Sequence, residues 1–317
     1  MSATGDDLGE RLRVCDISAA PAVLNLVENR APERREAIDE LLANVSPAAL
    51  GGEAPAHVVG ITGPPGAGKS TLLSQLVRVW REQERTVAVL AVDPSSRRSG
   101  GALLGDRARI AVDPADAGVF VRSMAAGGRL GGLAPATRAA ARALAVAFDV
   151  VVIETVGVGQ SETDVAEAAD TVAVVVQPAA GDVLQFLKSG IMEIPDVLVV
   201  TKADLGAVAL NARRDLNAAL RSLGASETPV IAVSSVAPAS GFDELAGAID
   251  AHRERLDLGA RRLAARRAGA LADFVVEHGE RGLRALGGSR AAHRLLAGQD
   301  EALDVPALTR VLEAAAL

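Results

Sequence analysis

The chain has 317 residues, nearly half of them apolar, and a formal net charge of −7, so it has material for a large core. Its acidic balance, with five Phe, one Trp and no Tyr, argues against a general nucleic-acid binder, which needs cationic grooves and stacking rings. One cysteine, Cys15, excludes an internal disulfide and a metal site built from cysteines.

Residues 1–50 carry no strand-like runs. Leu24, Leu26, Val27, Ile38, Leu41 and Leu42 recur among Glu and Arg and predict two short helices. The opening M-S-A-T-G-D-D is acidic and lacks the apolar run of a secretory leader. No stretch approaches the ~18–20 apolar residues of a membrane span, so the expected compartment is the cytoplasm, with no membrane contact. S-P at 46–47 and G-G-E-A-P at 51–55 read as a linker.

From 56 to about 255, β-rich runs alternate with Ala/Leu-rich helical stretches. The runs lie at 57–62, 86–92, 119–122, 150–154, 171–176, 197–201 and 229–233. Near-continuous Val/Ile runs separated by helices predict an α/β fold with a mostly parallel central sheet flanked by helices. Beyond 256 the pattern is helical again: Leu263, Leu271, Phe274 and Val275 give an apolar side, and G-G-S at 287–289 interrupts it. The expected organisation is an N-terminal helical extension at 1–50, a nucleotide-binding domain at 51–256 and a C-terminal helical segment at 257–317.

G-P-P-G-A-G-K-S at 63–70 has the spacing G-x-x-x-x-G-K-S, between an apolar run and a helical one. Such a loop curls its backbone N–H groups around a polyphosphate at the mouth of a helix. This marks a P-loop NTPase. Gly63, Pro64, Pro65, Gly66, Ala67, Gly68, Lys69, Ser70 and Thr71 are the candidate phosphate contacts. Lys69 would reach the β/γ oxygens, and the Ser70 hydroxyl would hold Mg²⁺.

Ligands of such sheets bind beyond the carboxyl ends of the strands. Two apolar runs end there in an acid, Asp93 before P-S-S and Glu154 before T-V-G. A carboxylate so placed can hold Mg²⁺ directly or through water. G-G-A-L-L-G-D-R-A-R at 100–109 adds Asp106 and Arg109. Asp106 alone reads equally well as a helix cap.

T-K-A-D at 201–204 follows the apolar run V-L-V-V. A carboxylate at Asp204 can accept from guanine N1–H and the N2 amine, which adenine cannot supply. Lys202 would lay its stem along the base, and V-S-S at 233–235 brings Ser234 and Ser235 near guanine O6. The expected substrate is GTP, hydrolysed to GDP. Small GTPases place a water-orienting Gln after the D-x-x-G glycine. Here E-T-V-G ends at Gly157 and is followed by Val158, with Gln160 two residues further, so slow intrinsic turnover is expected.

E-T-V-G-V-G-Q-S-E at 154–162, with G-P-P-G-A-G-K-S-T, D-P-S-S, G-G-A-L-L-G-D-R and T-K-A-D, resembles the MeaB/ArgK family. These are SIMIBI-class GTPases that chaperone adenosylcobalamin-dependent methylmalonyl-CoA mutase, and the likeness runs from about residue 20 to 256. The resemblance implies that Lys69 and Ser70 serve the phosphates and Mg²⁺, and that Asp93, Asp106 and Glu154 supply metal or metal-water contacts. It gives Lys69, Asp93, Asp106 and Glu154 as the catalytic group. It implies that 180–188, with Asp182 and Lys188, relays nucleotide state to the mutase, and that the C-terminal helices form a homodimer. Thr201 stands where the family has Asn, and S-M-A-A-G-G-R-L-G-G at 123–132 departs from the family's S-P-x-x-G-x-L-G-G.

A nickel-insertion GTPase shares the E-x-x-G arrangement and is the alternative. Its metal needs soft or imidazole ligands, and His57, His252, His278 and His293 are scattered along the chain. A transport-system protein kinase lacks its H-R-D-x-x-x-x-N catalytic loop here. R-R-L-A-A-R-R at 261–267 raises RNA binding, and in an acidic chain it reads as a solvated helix face.

Overall fold

The computed structural model describes residues 4–29, 31–93, 110–126, 133–155, 161–178 and 195–316, with Asp93 and 161–163 described by backbone alone. The first helices are α1 (Gly5–Arg13), α2 (Ala20–Val27), α3 (Arg35–Asn44) and α4 (Pro47–Leu50). Then come β1 (His57–Thr62), α5 (Lys69–Glu82), β2 (Val87–Asp93), β3 (Val119–Ala125), α6 (Pro135–Leu144), β4 (Val150–Glu154) and α7 (Ser161–Ala168). β5 (Thr171–Val176), β6 (Val197–Val200), α8 (Ala207–Ser222), β7 (Val230–Ala232) and α9 (Phe242–Arg255) follow. The chain closes with α10 (Leu258–Ala285), α11 (Ser289–Ala297) and α12 (Val305–Ala316).

Two units emerge. One joins Met1–Ala56, Pro135–Phe148 and Asp257–Leu317; the other joins His57–Ala134 and Asp149–Leu256. Residues 135–148, inside the 51–256 domain of the sequence reading, thus group with the terminal helices.

In the second unit seven strands form one sheet in the order β3-β2-β4-β1-β5-β6-β7, every pair parallel. β1 is central, with Ile61 beside Glu154 of β4 and Thr62 beside Val174 of β5. One face packs Val59 and Ile61 against Leu72, Leu73, Leu76 and Trp80 of α5 and Leu245 and Ile249 of α9, all but fully buried. Each such aliphatic side chain contributes about 1.5–3 kcal/mol on burial. The opposite face of β1 admits α7 closely. A Cβ at Gly60 would stand 2.6 Å from Val165 Cγ2 and 3.2 Å from Ala169 Cβ, so glycine sets that spacing.

In the first unit α1 lies on α3, where a side chain at Gly5 would strike the Ala37 carbonyl and one at Gly9 would strike Asn44. Phe274 of α10, Leu296 of α11 and Leu308 and Leu312 of α12 form a second core. The basic run at 261–267 differs from the solvated face that its composition suggests. Arg266 is buried and donates to both Glu53 oxygens, at 2.8 and 2.9 Å, and to the Glu301 carbonyl at 2.8 Å. Arg262 donates to the carbonyls of Ala54 and Ala56. A buried guanidinium is costly unless paired, and these pairings tie the linker to α10. Among the described residues no helix is long and apolar enough to cross a membrane.

Candidate active site

The loop at 63–68 leaves β1 and enters α5 with positive φ at Gly63 (138°), Gly66 (79°) and Gly68 (92°). At Gly63 the constraint is double, because a Cβ would land on the Val175 carbonyl of β5. Only glycine adopts this turn without strain, and the turn aims the first N–H groups of α5 into the loop. Pro64, Pro65 and Ala67 complete the curl, Ala67 fully buried and Pro65 exposed. Lys69 is buried, and its Nζ donates to the carbonyls of Gly63 (2.7 Å) and Pro64 (3.1 Å), so the ammonium sits inside the curl. Thr71 stands exposed one position beyond Ser70.

Glu154 ends β4 and is 3% exposed, yet its carboxylate meets the loop: Ser70 Oγ donates to Oε1 at 2.8 Å. The parallel register produces this approach. Glu154 lies between Ile61 of β1 and Ala91 of β2, so its side chain emerges beside the loop that β1 releases. A hydroxyl and a carboxylate are hard oxygens, and neighbouring ligands of one Mg²⁺ stand about 3 Å apart. The pair therefore fits that ion. Asp93 ends β2 two residues past Ala91. Asp106, Arg109, Gly157, Gln160, Asp182 and Lys188 lie outside the described residues.

Thr201 Oγ1 lies 2.8 Å from the Ala67 carbonyl and 3.2 Å from that of Val176. This hydroxyl ties the base-reading loop to the phosphate loop, with one proton to share between two acceptors. Asp204 is exposed and accepts at Oδ1 from Ser234 Oγ at 2.8 Å. Ser234 Oγ itself accepts from the Val236 N–H at 3.2 Å, so its own proton is committed to the carboxylate. Ser235 is part-buried next to it. Lys202 has φ 53° and ψ 44° and donates from Nζ to Gln177 Oε1 at 2.7 Å. Its ammonium is thereby anchored to the residue that follows β5.

Three arrangements escape a reading by motif. Thr155 Oγ1 donates to Thr62 Oγ1 at 2.8 Å, both buried, at the adjoining ends of β4 and β1. Laying the two strands in parallel register would have found this pair. Gln177, just past β5, carried no signal. The third lies at the opposite ends of the strands, where His57 and His252, far apart in sequence, share one hydroxyl. Thr171 Oγ1 is 2.7 Å from His57 Nε2 and 2.8 Å from His252 Nδ1, and His252 Nε2 is 3.2 Å from Asp196. Burial holds the His57 imidazole below its usual pKa.

Comparison with known proteins supplies the relatives of this site. A family model described as methylmalonyl-CoA mutase-associated GTPase MeaB matches residues 20–281. A Pyrococcus abyssi protein whose name describes it as a GTPase is 45% identical over 259 residues, 80% of this chain and 77% of that one. A mouse protein named methylmalonic aciduria type A homolog, mitochondrial, is 44% identical over 160 residues, 49% of this chain and 38% of that one. The crystal structure of a protein named LAO/AO transport system kinase superposes with a TM-score of 0.67 at 27% identity, covering 99% of this chain and 98% of that one. With the phosphate loop, the strand-end acid and the base-reading loop all in one site, the chain belongs to the MeaB family and is a GTPase.

Proposed function

We propose that this GTPase is Mg²⁺-dependent and serves as a chaperone of an adenosylcobalamin-dependent acyl-CoA mutase, methylmalonyl-CoA mutase first among them. In that role it gates cofactor loading and protects or reactivates the enzyme, as a cytoplasmic homodimer. The observation that carries the reading is the Ser70–Glu154 hydrogen bond. The acid that opens E-T-V-G-V-G-Q-S-E, the block most particular to the family, is bonded to the phosphate loop, where it can register the nucleotide.

The chain's own groups suffice for most of the hydrolytic task. The α5 N-terminus and Lys69 orient the phosphates, Ser234 aims the Asp204 carboxylate at a guanine edge, and Thr201 keeps the two loops in register. Mg²⁺, held by Ser70 and Glu154 with Asp93 and Asp106 as further candidates, would supply charge neutralisation at the β- and γ-phosphates. No glutamine follows Gly157 directly, so positioning of the attacking water falls to a partner or to another residue. Asp182 and Lys188 are the proposed relay, and Arg109, Gly157 and Gln160 belong to the loops that would respond.

A nickel-carrier reading gains no specific support. His57 and His252 are engaged with Thr171, and Glu277 and Glu313, which meet His278, both accept from Arg35 at 3.0 Å. A guanidinium fills the space of a cation there.

The test is GTP turnover with and without purified apo-methylmalonyl-CoA mutase, alongside mutase affinity in the GTP and GDP states. Linkage requires those affinities to differ if the mutase changes nucleotide affinity. Lys188→Ala should lower the acceleration and spare basal turnover. No acceleration, with equal affinities for both states, would leave a GTPase of another partner.

A further inference from the structure

The helical unit holds a cavity of about 260 Å³ where α3, α6, α10 and α12 converge. Its walls are largely aliphatic, from Ile38, Leu42, Val276 and Val305. Arginine and acid side chains also line it, and most of these are already matched. Arg310 holds Asp39 at 2.6 Å, Arg35 holds Glu277 at 3.0 Å, and Arg138 holds Asp273. Arg142 of α6 is the exception. It lines the cavity, packs its guanidinium over Gly269 of α10, and makes no hydrogen bond or ion pair among the described residues. Burial pulls its pKa down to about 10, so it remains a cation at neutral pH.

A part-buried guanidinium with no acid in contact, set among aliphatic side chains, is under-satisfied, and a ligand that brings an anion completes it. Its planar fork fits a carboxylate through two parallel N–H···O bonds. Aliphatic walls favour a short hydrocarbon, and the volume falls below the ~300–1,000 Å³ of sites for drug-sized molecules. We propose that this cavity binds a small aliphatic monocarboxylate, its carboxylate on Arg142 and its alkyl group against Ile38, Leu42 and Val305. Asp39, Asp273 and Glu277 do not close the site to an anion, because each is already neutralised by its arginine. They do disfavour a second negative charge, which separates a monocarboxylate from phosphate or a dicarboxylate.

The experiment titrates isobutyrate into the full-length protein, by calorimetry and by amide chemical shifts, with isobutyramide and inorganic phosphate as controls. The expected result is saturable binding with a roughly millimolar Kd, as befits a ligand of few atoms. The shifts should centre on α3, α6 and the facing part of α12. Isobutyramide, of the same shape without the charge, should bind at least tenfold more weakly, and phosphate should not compete. Arg142→Met should weaken isobutyrate at least tenfold. Ala136→Leu, at a part-exposed lining position that keeps Arg142, should do the same by filling the mouth, and it serves if Arg142→Met does not fold. Absent saturation, equal affinity for isobutyramide, competition by phosphate, or undiminished binding by the two variants would each overturn the assignment.

Discussion

Ser70 and Glu154, 84 positions apart, meet in a 2.8 Å hydrogen bond that joins the phosphate loop to the end of β4. A buried carboxylate is stable only while its partners hold it, so this contact is a point at which charge and loop conformation are coupled.

Glu154→Gln keeps the shape and removes the charge. GTP hydrolysis should fall about 10²-fold, the scale of losing one preorganised electrostatic group, while GDP affinity changes several-fold at most. Single-turnover hydrolysis across a Mg²⁺ titration checks it. Wild-type rates in the variant would remove Glu154 from the metal set.

Asp204 should make GDP bind at least tenfold more tightly than ADP, in keeping with about 1–3 kcal/mol for a bidentate base contact. Asp204→Asn should erase much of that preference and admit xanthosine diphosphate, whose carbonyl replaces the amine. Ser234→Ala should weaken GDP about tenfold by freeing the carboxylate to turn, since hydrogen bonds to charged groups contribute about 1.5–3 kcal/mol. Calorimetry with the three diphosphates decides; equal GDP and ADP binding by the wild type refutes guanine readout.

Thr201→Val is nearly isosteric and deletes the bond to Ala67. GDP should dissociate about fivefold faster, as expected for one hydrogen bond worth about 1 kcal/mol. Thr201→Asn offers two N–H donors for the same two carbonyls and should slow release. Stopped-flow displacement of a fluorescent GDP reads both, and identical rates in all three proteins would show that the tie is idle.

His57 is buried neutral, with its pKa depressed by burial. Between that lowered value and the ordinary ~6.5, the unfolded chain binds the proton and the folded chain does not. Stability is therefore complete above about pH 6.5 and declines on acidification at up to about 1.4 kcal/mol per unit from this residue. Urea midpoints from pH 8 to 5.5 should fall more steeply for the wild type than for His57→Gln. Parallel slopes would assign the acid sensitivity elsewhere.

Much of the sheet unit was legible because its signals are local. Each β-rich run became a strand, most of them Val/Ile runs buried on both faces, and G-x-x-x-x-G-K-S between strand and helix has one backbone solution. α1 was not legible. Gly5 and Gly9 each lower helix propensity by about 1 kcal/mol, and the acidic start hides Leu8 and Leu12. The structure explains the glycines by the close approach of α3, a tertiary fact, while Thr4 caps the helix by accepting from Asp7 N at 3.2 Å. Arg266 was misread for the same reason, because its partner Glu53 lies 213 positions away. The Ser234–Asp204 contact stood half in view. Both motifs were readable, and their meeting depended on β6 pairing with β7.

The place of β1 at the centre of an all-parallel sheet has a consequence for how the molecule is born. Its neighbours β4 and β5 end at Glu154 and Val176, so both are translated long after the loop at 63–70. At ~5–20 residues per second the wait for β4 alone is roughly 5 to 18 seconds, during which β1 has no native partner on either edge. A nascent chain halted before β5 carries the whole phosphate motif, but without the Val175 carbonyl that fixes Gly63 or the Thr201 hydroxyl that closes on Ala67. Such a chain lacks both braces of the phosphate loop and presents an unpaired β1 edge, the kind of surface that holdase chaperones shield until the ribosome has moved on.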